Sequence, residues 1–129
     1  MSPVGTPRNV AASEYASEVR SLPLVRKQLD ELLEGMPVER QKRWDIRLAV
    51  TEACSNVVRH AYPETPGEFQ VAAQLTPATL EVTVRDAGRG SAARIAPRVG
   101  MLLVHEASDA VSIEDGHPGL IVRMSFNLR

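Results

Sequence analysis

The sequence predicts an α+β protein: a two-layer sandwich in which helices cover one face of a mixed, mostly antiparallel sheet. Two stretches in the first half carry apolar residues at helical spacing. After Gly67 the period changes to alternation, the mark of strands with one buried face. Helices followed by a run of strands indicate segregated layers.

Residues 1–12 hold Pro3, Gly5 and Pro7 among small residues and are expected to form a flexible tail, or a short strand around Asn9 to Ala12. Residues 13–129 are expected to form one domain, as a chain of 129 residues with one ordinary core would. Ser13 and Glu14 are placed to cap a first helix. The apolar spacing Val19, Leu22, Leu24, Val25, Leu29, Leu32, Leu33 is helical. Pro23 interrupts it, so the main helix is predicted to start near Pro23 and to end at Gly35. Pro37 opens a second helix that runs to about Tyr62 and is stopped by Pro63.

Phe69, Val71, Ala73 and Leu75 alternate, as do Leu80, Val82 and Val84, with Thr76-Pro77-Ala78 between them. This predicts a β-hairpin with one buried face. Asp86-Ala87-Gly88-Arg89-Gly90 ends the second strand, and an arginine-bearing loop follows from Ser91 to Arg98. Val99 to Ser108 reads as a short helix. Val111 to Ile113 and Leu120 to Phe126 read as a final antiparallel pair, turned at Asp115-Gly116-His117-Pro118-Gly119.

The composition narrows the function. Fifteen basic and sixteen acidic residues give a net charge of −1, which offers no electrostatic footprint for nucleic acid or a membrane surface. The one cysteine, Cys54, excludes an intramolecular disulfide and fits a reducing compartment. The first residues lack the basic start and apolar core of a signal peptide, and no apolar run is long enough to span a bilayer. The expectation is a soluble cytoplasmic protein.

The chemistry concentrates in Thr51 to Tyr62. Glu52, Asn56 and His60 follow one another at four-residue intervals and so share a face of the second helix. A carboxylate at Glu52 could accept a proton from an attacking hydroxyl, or simply be a solvated glutamate paired with Arg47 or Arg59. Asparagine is a poor helix former, so Asn56 in mid-helix needs a reason. Its amide oxygen is a hard neutral ligand suited to Mg²⁺; the alternative is a hydrogen-bonded interior residue. His60 could line such a site or help to cap the helix end. Asp86 could accept from an exocyclic amine, with Gly88 and Gly90 allowing a ligand to approach the backbone. Arg89, Arg94 and Arg98 could meet phosphate oxygens or form a solvated basic loop. Gly100, just before an apolar helix, leaves amide donors free at its N-terminus.

These three pieces, in this order, resemble a known family. Glu52-Ala53-Cys54-Ser55-Asn56-Val57-Val58-Arg59-His60-Ala61-Tyr62 resembles the N box of the GHKL (histidine-kinase-like) ATPases, and its His-Ala-Tyr ending is most similar to the anti-sigma-factor serine/threonine protein kinases of bacteria. Asp86 to Gly90 resembles the first glycine box, and Val99-Gly100-Met101-Leu102 a reduced second one. The resemblance implies the Bergerat-type ATPase sandwich, with Glu52 as catalytic base, Asn56 as the Mg²⁺ ligand and Asp86 on the adenine amine. It implies nucleotide room at Gly88 and Gly90 and phosphate binding at Gly100. ATP and Mg²⁺ would be the cofactors. A sigma factor and an anti-anti-sigma (STAS-domain) protein would be the partners, with a homodimer as the expected assembly.

Three positions differ from the family pattern. Arg98 stands where the second box has its first glycine, where it could supply positive charge to phosphate or obstruct the pocket. Met101 replaces a leucine, and Leu120 follows Gly119 where a threonine is common. Two functional classes follow: an anti-sigma factor that phosphorylates its STAS partner, or a non-catalytic module of the same fold that sequesters its target without efficient use of ATP.

Overall fold

The computed structural model describes residues 9–90 and 99–129. Its elements are β1 (Asn9–Ala16), α1 (Ser21–Leu32), α2 (Arg40–His60), β2 (Glu68–Leu75), β3 (Thr79–Asp86), α3 (Val99–Ala107), β4 (Ala110–Asp115) and β5 (Leu120–Asn127). The five strands form a sheet in the order β1-β2-β3-β5-β4, and every described pairing is antiparallel.

Alternation sets the register. β2 and β3 bury every second side chain, so Val71 faces Val84, Ala73 faces Val82 and Leu75 faces Leu80. The same inward row continues into β5 as Val122, Met124 and Phe126. A slip of one residue would turn these side chains out to water. Thr76 closes the hairpin: its N–H donates to the Thr79 carbonyl at 2.9 Å, and its hydroxyl oxygen accepts the Thr79 N–H at 2.9 Å. The opposite face carries Gln70, Gln74, Glu81 and Arg85, all exposed.

The helices cover the inner face. α1 contributes Val25 and Leu29, and α2 contributes Ile46, Ala49, Val50, Ala53, Cys54 and Val57. Arg43 fastens the two helices together. Its guanidinium donates to the carbonyls of Leu33 (3.2 Å), Met36 (2.6 Å) and Val38 (3.2 Å), in the connection between the two helices. Lys42 pairs with Asp109 at 2.8 Å, and the same carboxylate oxygen accepts the Asn127 N–H at 2.7 Å. The start of α2 is thereby tied to the far end of β5.

One expectation needs correction. Ser13 and Glu14 do not cap a helix; they lie within β1, opposite Val71 and Gln70. The strand takes in residues 9–12, and among its described side chains the large buried one is Tyr15, stacked on Phe69 with ring centroids 5.5 Å apart. An edge strand anchored in this way shows little alternation. The first helix begins at Ser21, two residues before Pro23, whose missing N–H costs nothing in a first turn. The expected loop at 91–98, with Arg94 and Arg98, lies outside the described residues.

Candidate nucleotide site

Helix α2 is covered by the sheet on one side and by α3 on another, so polar residues in its second half are buried beside apolar ones. Asn56 is only 7% exposed. Asparagine at that depth in mid-helix is costly unless its amide is used. One turn earlier, Glu52 is half-buried and turned toward α3. A methyl group built on Gly100 would lie 2.8 Å from Glu52 Oε2. The carboxylate therefore rests against the first turn of α3, where backbone donors and the helix dipole favour negative charge. Among the described residues no ion pair joins Glu52 to Arg47 or Arg59.

The far end of α2 meets the glycine loop. A Cβ on Gly88 would sit 2.2 Å from the Ala61 carbonyl oxygen, so only glycine lets the loop rest there. The Arg89 N–H donates to Ala61 O at 2.9 Å, and Arg89 Nε donates to His60 O at 2.9 Å. These bonds serve the carbonyls that end α2, so Arg89 Nε is directed at the helix end. Gly90 lies against Asp115 at the end of β4, where an added Cβ would come 3.2 Å from Oδ1.

Asp86 is the last residue of β3 and is 5% exposed. Its Oδ1 accepts the Gly88 N–H at 3.0 Å, which turns the carboxylate along the loop. Gly119, at the start of the β5 hairpin arm, has φ +89°, and a Cβ there would be 1.9 Å from Asp86 O. Met101 and Leu120, the two described departures from the family pattern, are buried at 6% and 1% exposure and belong to the core.

α2 thus acts as a ruler. Its C-terminal end touches the Asp86–Gly90 loop, Asn56 lies one turn inside that end, and Glu52 lies a further turn away, against α3. From Glu52 to His60 the helix rises ~12 Å. The structure connects Glu52 with Gly100 and links Asp86, Gly88 and Arg89 to the helix end. Arg98 lies outside the described residues. Sequence reasoning gave no site role to Tyr62, Gly119 or Asp115, which hold the glycine loop from three directions. For Tyr62 the signal was available, as the last residue of the N-box-like stretch.

The donor set fits a magnesium–nucleotide. No group of three or more His, Cys, Asp or Glu among the described residues is placed to hold a metal ion. A cation here would rest on the Asn56 amide oxygen and on the ligand's own oxygens, the way Mg²⁺ is commonly held beside phosphates. Cys54, two residues after Glu52, is buried, and burial pushes its thiol up to about 12. No described helix is long and apolar enough to cross a membrane.

Comparison with known proteins bears on the family and the fold. Residues 15–126 match the family described as the histidine kinase-like ATPase domain. Over a stretch of 44 residues the chain is 43% identical to serine-protein kinase RsbW of Bacillus thuringiensis (strain Al Hakam) and of Bacillus mycoides (strain KBAB4). That stretch is 34% of this chain and 28% of each relative. A crystal structure of the RsbU and RsbW domains of Rv1364c from Mycobacterium tuberculosis superposes with a TM-score of 0.76 at 23% identity, over 95% of this chain and 33% of that one. The family match spans most of the chain, and the chain belongs to the histidine kinase-like ATPase domain family.

Proposed function

We propose that the chain is an anti-sigma regulatory factor that binds Mg-ATP, sequesters a sigma factor and phosphorylates a serine or threonine of an anti-anti-sigma (STAS) partner. The observation that carries this reading is the placement of Glu52 on α2 beside Gly100, with Asn56 one turn away toward the Asp86 loop. In this reading Asp86 accepts from the adenine amine, and Asn56 holds the magnesium ion. The first turn of α3 receives phosphate oxygens through its amide donors. Glu52 takes the proton of the attacking hydroxyl. Magnesium, when bound, neutralises charge on the transferring group; the chain supplies positioning. The protein is read as cytoplasmic and as a homodimer.

Calorimetric titration with Mg-ATP, for the wild type and for Asn56→Ala, tests the site. Binding in the wild type that weakens strongly in Asn56→Ala is expected. Equal affinity in the two would remove the metal role. Glu52→Ala is expected to keep nucleotide binding and to lose phosphate transfer to a STAS partner; retained transfer would remove the base.

Leu120 favours a second reading. Where a hydroxyl residue would reach the nucleotide, this chain buries a leucine in its core. A module that sequesters its target without efficient ATP use would show partner affinity independent of nucleotide.

A further inference from the structure

The stretch that opens with Glu52 closes with Tyr62, just beyond the end of α2. Three segments meet on its phenol. The hydroxyl accepts the Ala87 N–H at 2.9 Å and donates to the Glu68 carbonyl at 2.6 Å. The ring lies flat against Gly67, where a Cβ would come within 2.4 Å of it. Tyr62 therefore ties the end of α2 to the start of β2 and to the residue that follows Asp86.

That position matters for the direction of the Asp86 carboxylate. Asp86 Oδ1 is held by the Gly88 N–H, so its aim depends on where Gly88 sits. Gly88 is fixed on both sides: Ala87 by the Tyr62 hydroxyl, and Arg89 by the Ala61 carbonyl. Each tie holds one flank of the turn whose N–H the carboxylate accepts. A cleft of about 510 Å³, lined in part by Tyr62, Gly67, Asp86 and Ala87, opens beside this joint. Water in that cleft can satisfy Ala87 N–H and Glu68 C=O if the hydroxyl is lost. Loss of the hydroxyl then need not leave either group unsatisfied, while the direct tie between Ala87 and the end of α2 is removed.

We propose that Tyr62 is a positioning residue that sets the aim of Asp86 at the 6-amino group of a bound purine nucleotide, and so determines selectivity for adenine. This rests on the reading of Asp86 as the adenine acceptor. Tyr62→Phe keeps the ring on Gly67 and removes only the hydroxyl.

The test is the binding of ATP and of purine riboside triphosphate, which lacks the amine, to the full chain and to Tyr62→Phe. The wild type is expected to prefer ATP, and Tyr62→Phe to narrow that preference about fivefold, the scale of one lost orienting hydrogen bond. A general loss of stability would weaken both nucleotides alike and leave the ratio unchanged. Amide exchange gives a second readout: Ala87 should exchange faster in the variant while Val82, in the middle of β3, does not change. An unchanged preference with unchanged exchange at Ala87 would overturn the role of Tyr62. A wild type that binds both nucleotides equally would overturn the reading of Asp86, and the proposal with it.

Discussion

The Glu52 carboxylate rests against the α-carbon of Gly100, so close that a methyl group there would lie 2.8 Å from Oε2. The contact joins the middle of α2 to the first turn of α3.

Gly100→Ala separates the fold from the site. The atom that a new methyl would meet is the far end of a flexible, half-buried side chain, which can swing away. Alanine within a helix is favoured over glycine by roughly 1 kcal/mol. The variant is expected to melt at the wild-type temperature or above it, yet to lose tenfold or more of any phosphate transfer, about 1.4 kcal/mol of transition-state stabilisation. Calorimetry with a transfer assay checks both halves. Full activity would mean that the place of Glu52 beside Gly100 is incidental.

Gly119→Ala should behave in the opposite way. The new Cβ would meet a main-chain oxygen, Asp86 O, at 1.9 Å, and the backbone there has φ +89°. Neither can give easily. Left-handed strain and overpacking together predict a loss of roughly 2–5 kcal/mol. Urea denaturation measures it. A stability within experimental error of the wild type would show that the β4–β5 turn can shift off β3.

These two glycines mark how far the sequence can be read. The stripe of Glu52, Asn56 and His60 is legible because polar residues at four-residue spacing interrupt an apolar helix. The β2–β3 hairpin is legible because its alternation is strict. β1 is not, because its polar Ser13-Glu14 pair imitates a helix cap and, among its described side chains from Ala11 onward, Tyr15 alone is buried in the core. The roles of Gly88 and Gly119 are hidden for another reason: what each touches, Ala61 and Asp86, is distant in sequence. Spacing reports neighbours along an element, while close approach between elements depends on packing that no local pattern encodes.

Cys54 should serve as a reporter of opening. It is fully buried, and burial holds its thiol protonated up to about 12. A thiol-specific reagent at pH 8 should therefore modify it only through unfolding. Phe126→Ala, at another fully buried site, should cost about 3–5 kcal/mol and speed the modification roughly a hundredfold or more. The same burial gives an alkaline limit. In the unfolded chain the thiol ionises at its ordinary value of 9.0, while the folded chain holds its proton to about 12, so folding stability falls as pH rises between them. Rapid modification of the untouched native protein would show that the α2–sheet interface opens locally.

The acid limit involves Asp109. The Lys42 ammonium and then the Asn127 N–H hold its carboxyl below the usual carboxylate range. Because the folded value is the lower one, the unfolded chain binds the proton more readily. The resulting stability is fully present above about pH 4, the unfolded value, and disappears as pH falls through the folded one. The pair is partly open to solvent, with side-chain exposures of 24% and 34%, so the contribution at pH 7 is held to about 1 kcal/mol or less. Asp109→Asn removes the charge but keeps an acceptor for Asn127. The variant should be slightly less stable than the wild type at pH 7 in low salt, and should match it once the wild-type carboxyl is protonated. Added salt should reduce the difference at pH 7, since an ion pair this open is screened. Urea denaturation at both pH values and two salt concentrations decides it. A deficit that persists unchanged at low pH would place the effect in the Asn127 hydrogen bond, and the charge of Lys42 would then contribute nothing to joining α2 with β5.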